Sequence, residues 1–276
     1  AANAAFPDTP VDIGKGWREM VHRYAAGILG LLVLGLGIFA WRLRKNPGQP
    51  WKVPLALVGI ILFQATLGAW TVTWQLKPAV VTAHLLGGLT TLSLLWWTTL
   101  RTQAMGGAGR LATTRGLGAL LAVGLVATIA QVTLGGWTST NYAALACNEF
   151  PTCSLGEYWP DRADFDEGFV LWRGLGVNYE FGVLDNPARM AIHLVHRVGA
   201  IALTLVLGFL AWWLWRAGGI GRGMGIAVAG ALLLQITIGI GNVVYNLPLT
   251  LAVAHNAGAA LLLMVLVTVI HVRRAP

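Results

Sequence analysis

The feature that most constrains this chain is an internal repeat that places a histidine pair in each half. A shift of 174 residues aligns His22-Arg23 with His196-Arg197, and a shift of 171 residues aligns His84 with His255. The second alignment runs without a gap through a shared Gln-x-Thr-x-Gly segment and a shared Ala-His. A repeat of this length indicates a duplicated bundle. One histidine pair per half indicates one iron-sized site per half.

Composition places this repeat in a membrane. The chain is 56% hydrophobic and 11% charged, whereas soluble domains carry roughly 25% charged residues. Seven stretches poor in charge are long enough to cross a bilayer, which needs about 20 apolar residues, and they lack the alternation of strands. We therefore predict an all-α, polytopic membrane protein. The predicted spans are Tyr24–Trp41, Val53–Leu76, Pro78–Leu100, Gly116 to about Thr140, Asn186–Trp215, Gly223–Asn246 and Pro248 to about Val272.

Charge predicts the orientation. The loops after the first, third and fifth spans and the C-terminus carry eleven Lys or Arg and no acidic residue, whereas all eleven Asp and Glu lie on the other side. Basic loops stay in the cytoplasm. We therefore expect the C-terminus inside and the loop 141–186 outside, in a bacterial plasma membrane or, on the matrix side, a mitochondrial inner membrane. The basic residues are scattered at helix ends, which excludes a nucleic-acid surface.

The repeat also predicts the domain organisation. Gln131-Val-Thr133-Leu-Gly135 in the fourth span echoes Gln64-Ala-Thr66-Leu-Gly68, and this span precedes the second His-Arg helix. The first His-Arg helix has no such predecessor in these residues. We therefore expect an eighth helix before Ala1 and two pseudo-symmetric four-helix bundles. Residues 1–110 would hold three helices of the first bundle, and residues 111–276 the complete second bundle with its outer loop.

The two cysteines, Cys147 and Cys153, lie in the predicted outer loop, where disulfides persist. Their spacing is compatible with a loop staple that adds about 2 kcal/mol of local order, and equally with a redox-active pair. Two cysteines without a nearby histidine provide too few ligands for a zinc site.

The histidines have the placement of heme ligands. His84 and His255 follow Pro78 and Pro248 by six and seven residues, which puts both roughly 10 Å into their helices at 1.5 Å per residue. His22 and the repeat-related His196 begin helices on the same side. A facing pair in a bundle suits axial ligation of a heme. A single membrane histidine more often makes an interhelical hydrogen bond, but four at repeated positions favour ligation.

Basic neighbours of these histidines have two interpretations. Arg23 and Arg197 follow the first histidine of each pair, so they are predicted either to pair with heme propionates or to anchor the helix at the interface. His271, beside Arg273 at the predicted cytoplasmic end, is interpreted as a plain interface residue.

The two halves differ three residues before the first histidine. Glu19 precedes His22, whereas His193 precedes His196, and positions i and i+3 share a helix face. A carboxylate at the edge of the apolar region is a functional candidate, with an exposed helix cap as the alternative. Divergence beside the iron predicts two roles: one heme would carry electrons and the other would be a substrate.

With these residues in view, the chain resembles the heme A synthase family over about residues 10–273. The resemblance rests on Glu19-Met-Val-His22-Arg23, Thr82-Ala-His84-Leu-Leu-Gly-Gly88, Gly135-Gly-Trp137, the Cys147/Cys153 loop, His193-Leu-Val-His196-Arg197 and Ala254-His255-Asn256. It implies eight helices in two pseudo-symmetric halves, and an activity that oxidises a methyl group of heme O to the formyl group of heme A for terminal oxidases. The chain departs from the family pattern in lacking the first helix and a first outer-loop cysteine pair.

The resemblance also implies the site residues. His196 and His255 would ligate a permanent heme b, with Arg197 and His193 beside it. His22 and His84 would ligate heme O or heme A, with Arg23 nearby and Glu19 required for turnover. Implied partners are heme O, a heme O synthase, oxidase assembly proteins and membrane lipid; the electron donor is left open.

Two other functions remain compatible with the residues. A diheme b-type cytochrome that exchanges electrons with quinone would need two equivalent halves, against which the Glu19/His193 difference argues. A membrane chaperone or transporter of heme would bind it reversibly without oxidising the porphyrin.

Overall fold

The computed structural model describes residues 13–103, 111 and 114–274. Within these ranges the chain forms helices and no strand, and seven of the helices are long and apolar enough to span a membrane. The predicted all-α membrane fold with seven spans is confirmed, and the chain is an integral membrane protein. The helices are α1 Ile13–Arg42, α2 Lys52–Thr73, α3 Pro78–Thr102, α4 Arg115–Thr140, α5 Phe165–Gly168, α6 Asn186–Arg216, α7 Gly219–Val244 and α8 Leu249–Arg274.

Local signals explain where several helices begin. The Thr114 hydroxyl accepts the N–H of Leu117 at the start of α4, and the Asp185 carboxylate accepts the N–H of Ala188 at the start of α6. Pro78 opens α3 at a position where its missing N–H costs nothing. The described part of α1 begins at Ile13, well before the predicted Tyr24. The prediction was short because hydropathy detects only the apolar part of a helix.

Three helices end in the same way, which extends the repeat from sequence to backbone. In each case a residue adopts a positive φ, as the next residue also does in two of the three, and the N–H of that next residue bonds to the carbonyl five residues back. This Schellman geometry satisfies carbonyls that the end of a helix leaves open. The positive-φ residues are Gln75 (49°), Tyr142 (55°) and Asn246 (56°), and the bonds measure 2.8, 2.9 and 2.7 Å. The turn at Gln75 also ends α2 before the predicted Leu76.

The chain divides into two compact units, residues 1–63 and 64–276. In the first unit, α1 packs against the beginning of α2. Gly37 permits this contact, since a Cβ there would lie 2.6 Å from Val58 Cγ2. The ring of Trp41 in α1 meets the ring of Trp51, just before α2, edge to face at 5.9 Å.

In the second unit, α4, α6, α7 and α8 form a closed ring. Contacts join α4 to α6, α6 to α7, α7 to α8 and α8 to α4, while α3 packs on α4 and α8. The core between these helices is mainly leucine, including the fully buried Leu207, Leu210 and Leu266. In this ring α6 and α8 stand on a diagonal, as do α4 and α7, so the two histidine-bearing helices face each other.

The long segment between α4 and α6 folds over the ends of the helices. The indole of Trp137 donates to the carbonyl of Gly168 at 2.9 Å, and the N–H of Tyr179 donates to Gln75 in the α2–α3 turn at 3.0 Å. Lys77 is almost fully buried beneath this segment, where it donates to the carbonyl of Gly174 and lies over the Trp172 ring. Burial lowers the pKa of Lys77 below its usual 10.5.

Candidate functional site

Two helices on a diagonal of the ring each carry one of the repeated histidines. His196 lies on α6 and His255 on α8, and both are half-buried. The two histidines that the sequence assigned to one site are therefore carried by helices that face each other across one ring. Their donor set is a pair of imidazoles on facing helices of a four-helix bundle, which is the arrangement that bis-histidine heme requires.

Each imidazole packs against a glycine of the neighbouring helix. A Cβ at Gly135 of α4 would lie 3.3 Å from Cε1 of His196, and a Cβ at Gly239 of α7 would lie 3.0 Å from Cε1 of His255. Both distances are tighter than ordinary side-chain contacts, so a larger residue would displace the ring. The glycines therefore fix the space that each histidine occupies.

Each imidazole also contacts a glutamine one turn earlier on that neighbouring helix. The amide nitrogen of Gln131 donates to the carbonyl of His196 at 3.0 Å and lies 3.1 Å from its Nδ1. The amide nitrogen of Gln235 lies 3.3 Å from Nε2 of His255. Around the ring of four helices, glutamine and histidine therefore alternate: Gln131 on α4, His196 on α6, Gln235 on α7 and His255 on α8.

The same local arrangement occurs around His84. The amide of Gln64 on α2 donates to the carbonyl of His84 on α3 at 2.8 Å, and a Cβ at Gly68 would lie 3.2 Å from Cε1 of that histidine. The repeat in the sequence aligns these glutamines and glycines, but their spacing alone predicts no role for them. The signal that could have identified them is the Gln-x-Thr-x-Gly segment, which occurs three times, together with a glycine three residues after each of these histidines.

Glu19, His22 and Arg23 lie on one side of α1. The guanidinium of Arg23 donates to the Glu19 carboxylate at 2.5 Å, and both side chains are about half exposed. The alternative that Glu19 caps the helix is wrong, because the helix already includes residues from Ile13 onward. Glu19 instead stands well inside α1 and is paired with the arginine next to His22.

Arg197 holds the loop that contains the cysteines. Its guanidinium donates to three backbone carbonyls, those of Thr152 at 2.8 Å, Cys147 at 3.0 Å and Glu149 at 2.8 Å. Its Nε faces Nε2 of His193 at 3.3 Å. These contacts make Arg197 an anchor for the loop beside His196, a role that neither prediction named, and its pairing with a heme propionate stays a prediction.

His193 is buried under the same loop. Its Nδ1 accepts the backbone N–H of Cys147 at 3.2 Å, and its other ring nitrogen faces Arg197. The exposed fraction of His193 is 5%, so the side chain that replaces the carboxylate of the first half is a packing and hydrogen-bonding residue here. Its predicted contact with a cofactor stays a prediction.

The predicted disulfide between Cys147 and Cys153 is present, with a Cα–Cα distance of 4.2 Å. Both residues are fully buried, which favours the staple over an exchanging redox pair because an external thiol cannot reach the sulfurs. Inside this loop Glu149 accepts N–H groups of Leu155 and Gly156 and the hydroxyl of Thr152. The N–H of Gly156 and that hydroxyl lower the pKa of Glu149 below its usual 4.5.

Other features of the described chain do not compete as sites. His271 lies edge-on to Trp97 at 5.4 Å between ring centroids, which fits its interpretation as an interface residue. An open apolar groove of about 400 Å³ between α6 and α7 begins two turns beyond His196 and offers almost no polar group. Within the described residues, no cluster of three or more His, Cys, Asp or Glu could cage a bare metal ion. A macrocycle that brings its own nitrogens needs only the two imidazoles.

The region of the chain that matches a known protein family includes all four repeated histidines. A sequence model of the COX15-CtaA family, described as cytochrome oxidase assembly protein, matches residues 1–267. The chain is 46% identical to heme A synthase of Shewanella oneidensis over 268 residues, which cover 97% of this chain and 79% of that protein. It is 27% identical to heme A synthase of Sphingopyxis alaskensis over 261 residues, which cover 92% of this chain and 68% of that protein. It is 28% identical to heme A synthase of Shouchella clausii over 199 residues, which cover 71% of this chain and 58% of that protein.

Proposed function

Because the chain belongs to the COX15-CtaA family of cytochrome oxidase assembly proteins, we propose that it is a heme A synthase. In this role it would act in the membrane as an oxidoreductase that converts a methyl group of heme O to the formyl group of heme A. The observation that carries the proposal is a pair of histidines on diagonal helices of a four-helix ring, in a chain whose sequence matches heme A synthases.

We assign the permanent heme b to His196 and His255. The fit rests on two facing imidazoles, each with a glycine at ring distance and a glutamine amide beside it. When bound, heme b supplies one-electron transfer. The protein's part is to hold both imidazoles in place, while Arg197 and His193 keep the cysteine loop closed over the start of α6.

We assign the substrate heme to His22 and His84, with Glu19 as the group that handles protons. Conversion of a methyl to a formyl group, written with water as the formal oxygen source, releases four protons and four electrons. A carboxylate next to the substrate ligand can accept a proton or stabilise positive charge. Arg23 holds the Glu19 carboxylate at 2.5 Å, which orients it on the face that carries His22.

The remaining parts of the proposal follow from charge and family. We place the C-terminus on the cytoplasmic or matrix side and the cysteine loop outside, since the acidic residues cluster in that loop and the basic ones at the opposite helix ends. Heme O is the proposed substrate, and the proposed partners are a heme O synthase and oxidase assembly proteins.

Extraction and identification of the bound porphyrins tests the function. The purified protein should contain heme b together with heme O, heme A or a hydroxylated intermediate between them. Heme b alone in both sites would instead support a diheme cytochrome. Heme O that the protein binds and releases unchanged under aerobic conditions would support a chaperone or transporter.

Replacement of one ligand tests the heme b assignment. The His255→Ala variant should lose the low-spin heme b spectrum, because one axial ligand is gone. His271→Ala, on the same helix but against Trp97, is the matched control and should keep it. Unchanged heme b in His255→Ala would refute the assignment.

A further inference from the structure

We propose that Gln131 and Gln235 are positioning residues for the heme b ligands, and that Gln64 has the same role for His84. Each glutamine holds one histidine through its amide and thereby sets both the ring orientation and the electron donation of that histidine to iron. This inference rests on the proposed function, since it takes the histidines as heme ligands.

The three contacts are built alike. Each glutamine reaches across to a histidine on the next helix, at 3.1 Å from Nδ1 of His196, 3.3 Å from Nε2 of His255 and 2.8 Å from the carbonyl of His84. In all three copies of the repeat the glutamine amide thus meets the histidine, at a ring nitrogen for Gln131 and Gln235 and at the backbone carbonyl for Gln64. Independent packing accidents would not place the same amide beside three repeat-related histidines.

Glycines make room for each amide. A Cβ at Gly199 would collide with Oε1 of Gln131, one at Gly258 with Oε1 of Gln235, and one at Gly87 with Oε1 of Gln64. Each of these glycines lies three residues after the histidine on the same helix. The pattern His-x-x-Gly on one helix is thus the receptacle for the glutamine of its neighbour.

The amide oxygens point to a function beyond packing. Oε1 of each of the three glutamines is buried and has no hydrogen-bond partner among the described residues. A buried acceptor without a donor costs about 1–3 kcal/mol, so its retention needs a reason. A histidine bound to iron through one nitrogen carries N–H on the other, and that N–H commonly bonds to an acceptor that orients the ring and raises its basicity.

Glutamine can serve both states of the ring. Its nitrogen donates to a bare ring nitrogen, as the contact to His196 allows, and rotation of the amide presents the oxygen to a ring N–H. Leucine could fill the space but could do neither, and glutamate could only accept. The side chain at this position therefore controls how strongly the imidazole donates to iron.

The test measures the reduction potential and binding of heme b in the full chain. Gln131→Glu, with a charged acceptor, should shift the reduction equilibrium toward the oxidised heme by about tenfold, equivalent to 59 mV lower for a one-electron couple. Gln131→Leu should shift it the other way and weaken heme binding about 10–100-fold. A residue that only filled space would not give shifts of opposite sign.

Glycine variants provide a second measurement that keeps the glutamine. Gly199→Ala should push the amide away and shift the potential in the same direction as Gln131→Leu. Gly208→Ala on the same helix, where a Cβ meets nothing within 4 Å, is the matched control and should leave the potential unchanged. Gln64→Glu, made in the other site, should also leave heme b unchanged.

The outcomes separate this inference from the proposed function. If His255→Ala removes the heme b spectrum while the Gln131 and Gly199 variants keep wild-type potential and affinity, the positioning role is refuted and the heme site stands. If heme b persists in His255→Ala, the ligand assignment itself has failed. Opposite shifts in Gln131→Glu and Gln131→Leu, with no change in Gly208→Ala, support the positioning role.

Discussion

The His-Arg motifs of α1 and α6 share their spacing but differ in what surrounds them. In α1, Arg23 pairs with the carboxylate of Glu19 on a half-exposed face. In α6, Arg197 donates to three carbonyls of a disulfide-closed loop. The residue equivalent to Glu19 is His193, which is buried under that loop and accepts one of its N–H groups.

This difference shows how one repeated unit can serve two purposes. In α6 the side chains of His193 and Arg197 hydrogen-bond to the backbone of the loop, so the surroundings of the motif are held by several hydrogen bonds. In α1 the ionisable side chain of Glu19 pairs with Arg23 instead of with backbone groups. We infer that the first environment suits a permanent cofactor and the second a substrate that must react and leave.

The largest expected effect comes from removing the negative charge of Glu19, whose equivalent in α6 is His193. Glu19→Gln keeps the shape of the side chain and should slow conversion of heme O by about 10²–10⁴-fold, the usual contribution of a positioned acid or base. Heme b content should stay normal. The measurement is the ratio of heme A to heme b extracted from the variant.

A matched control is Glu149→Gln, which makes the same chemical change in the cysteine loop. It should retain conversion, because the Glu149 carboxylate accepts its hydrogen bonds from Thr152, Leu155 and Gly156 of its own loop. Normal conversion by Glu19→Gln would remove the proposed distinction between the two motifs.

The second prediction concerns the two arginines. Arg197→Leu leaves three carbonyls without their donor, and we expect the loop to lose about 2 kcal/mol of local stability after partial rehydration. Amide hydrogen exchange in residues 147–157 should then accelerate roughly 30-fold. Arg23→Leu, the matched substitution in α1, should cost about 0–1 kcal/mol because it removes only a half-exposed ion pair. Equal effects would mean that the loop contacts add nothing.

A smaller effect is expected at His193. His193→Leu keeps the bulk but removes the acceptor for the N–H of Cys147. Loss of this hydrogen bond and of the 3.3 Å contact with Nε of Arg197 should destabilise the loop by about 1 kcal/mol, which hydrogen exchange at the same amides can detect. An effect as large as that of Arg197→Leu would show that the histidine, rather than the arginine, holds the loop.

The smallest expected effect is a pH dependence of local stability, confined to the loop that contains Cys147 and Cys153. Hydrogen bonds to its carboxylate lower the pKa of Glu149, so the stabilisation is complete above pH 4.5 and is lost as the pH falls through the folded value. Hydrogen exchange in the loop, corrected for its intrinsic rate, should increase in this acid range. Glu149→Gln should remove this dependence, whereas a dependence that persists would assign it to another group.

Part of the site could be predicted because its signals are local or repeated. The repeat marks the four histidines as candidate heme ligands and Glu19 as a functional candidate, and these stay predictions, whereas the disulfide is confirmed. The helix boundaries were less accurate at the polar ends, where α1 extends beyond the apolar stretch and α2 ends at Thr73. Hydropathy reports the apolar part of a helix and contains no information on turns.

The role of Arg197 could not be predicted in the same way. Its acceptors are carbonyls 45 to 50 residues earlier in the chain, and every residue type has a carbonyl, so the sequence carries no mark of them. The glutamines are an intermediate case. Their pattern was visible in the repeat, but a pattern does not reveal that each amide meets a histidine on the next helix.

The sequence by itself determined that this protein is an all-α membrane protein with a duplicated histidine pair. This follows because the transfer of apolar side chains into a bilayer and the spacing of a repeat are properties of the residues taken in order. Only the tertiary structure decided that α6 and α8 face each other, that three glutamines contact histidines, and that Arg197 holds the cysteine loop. Those contacts depend on how helices pack and loops close, and burial requires partners that sequence neighbours do not provide.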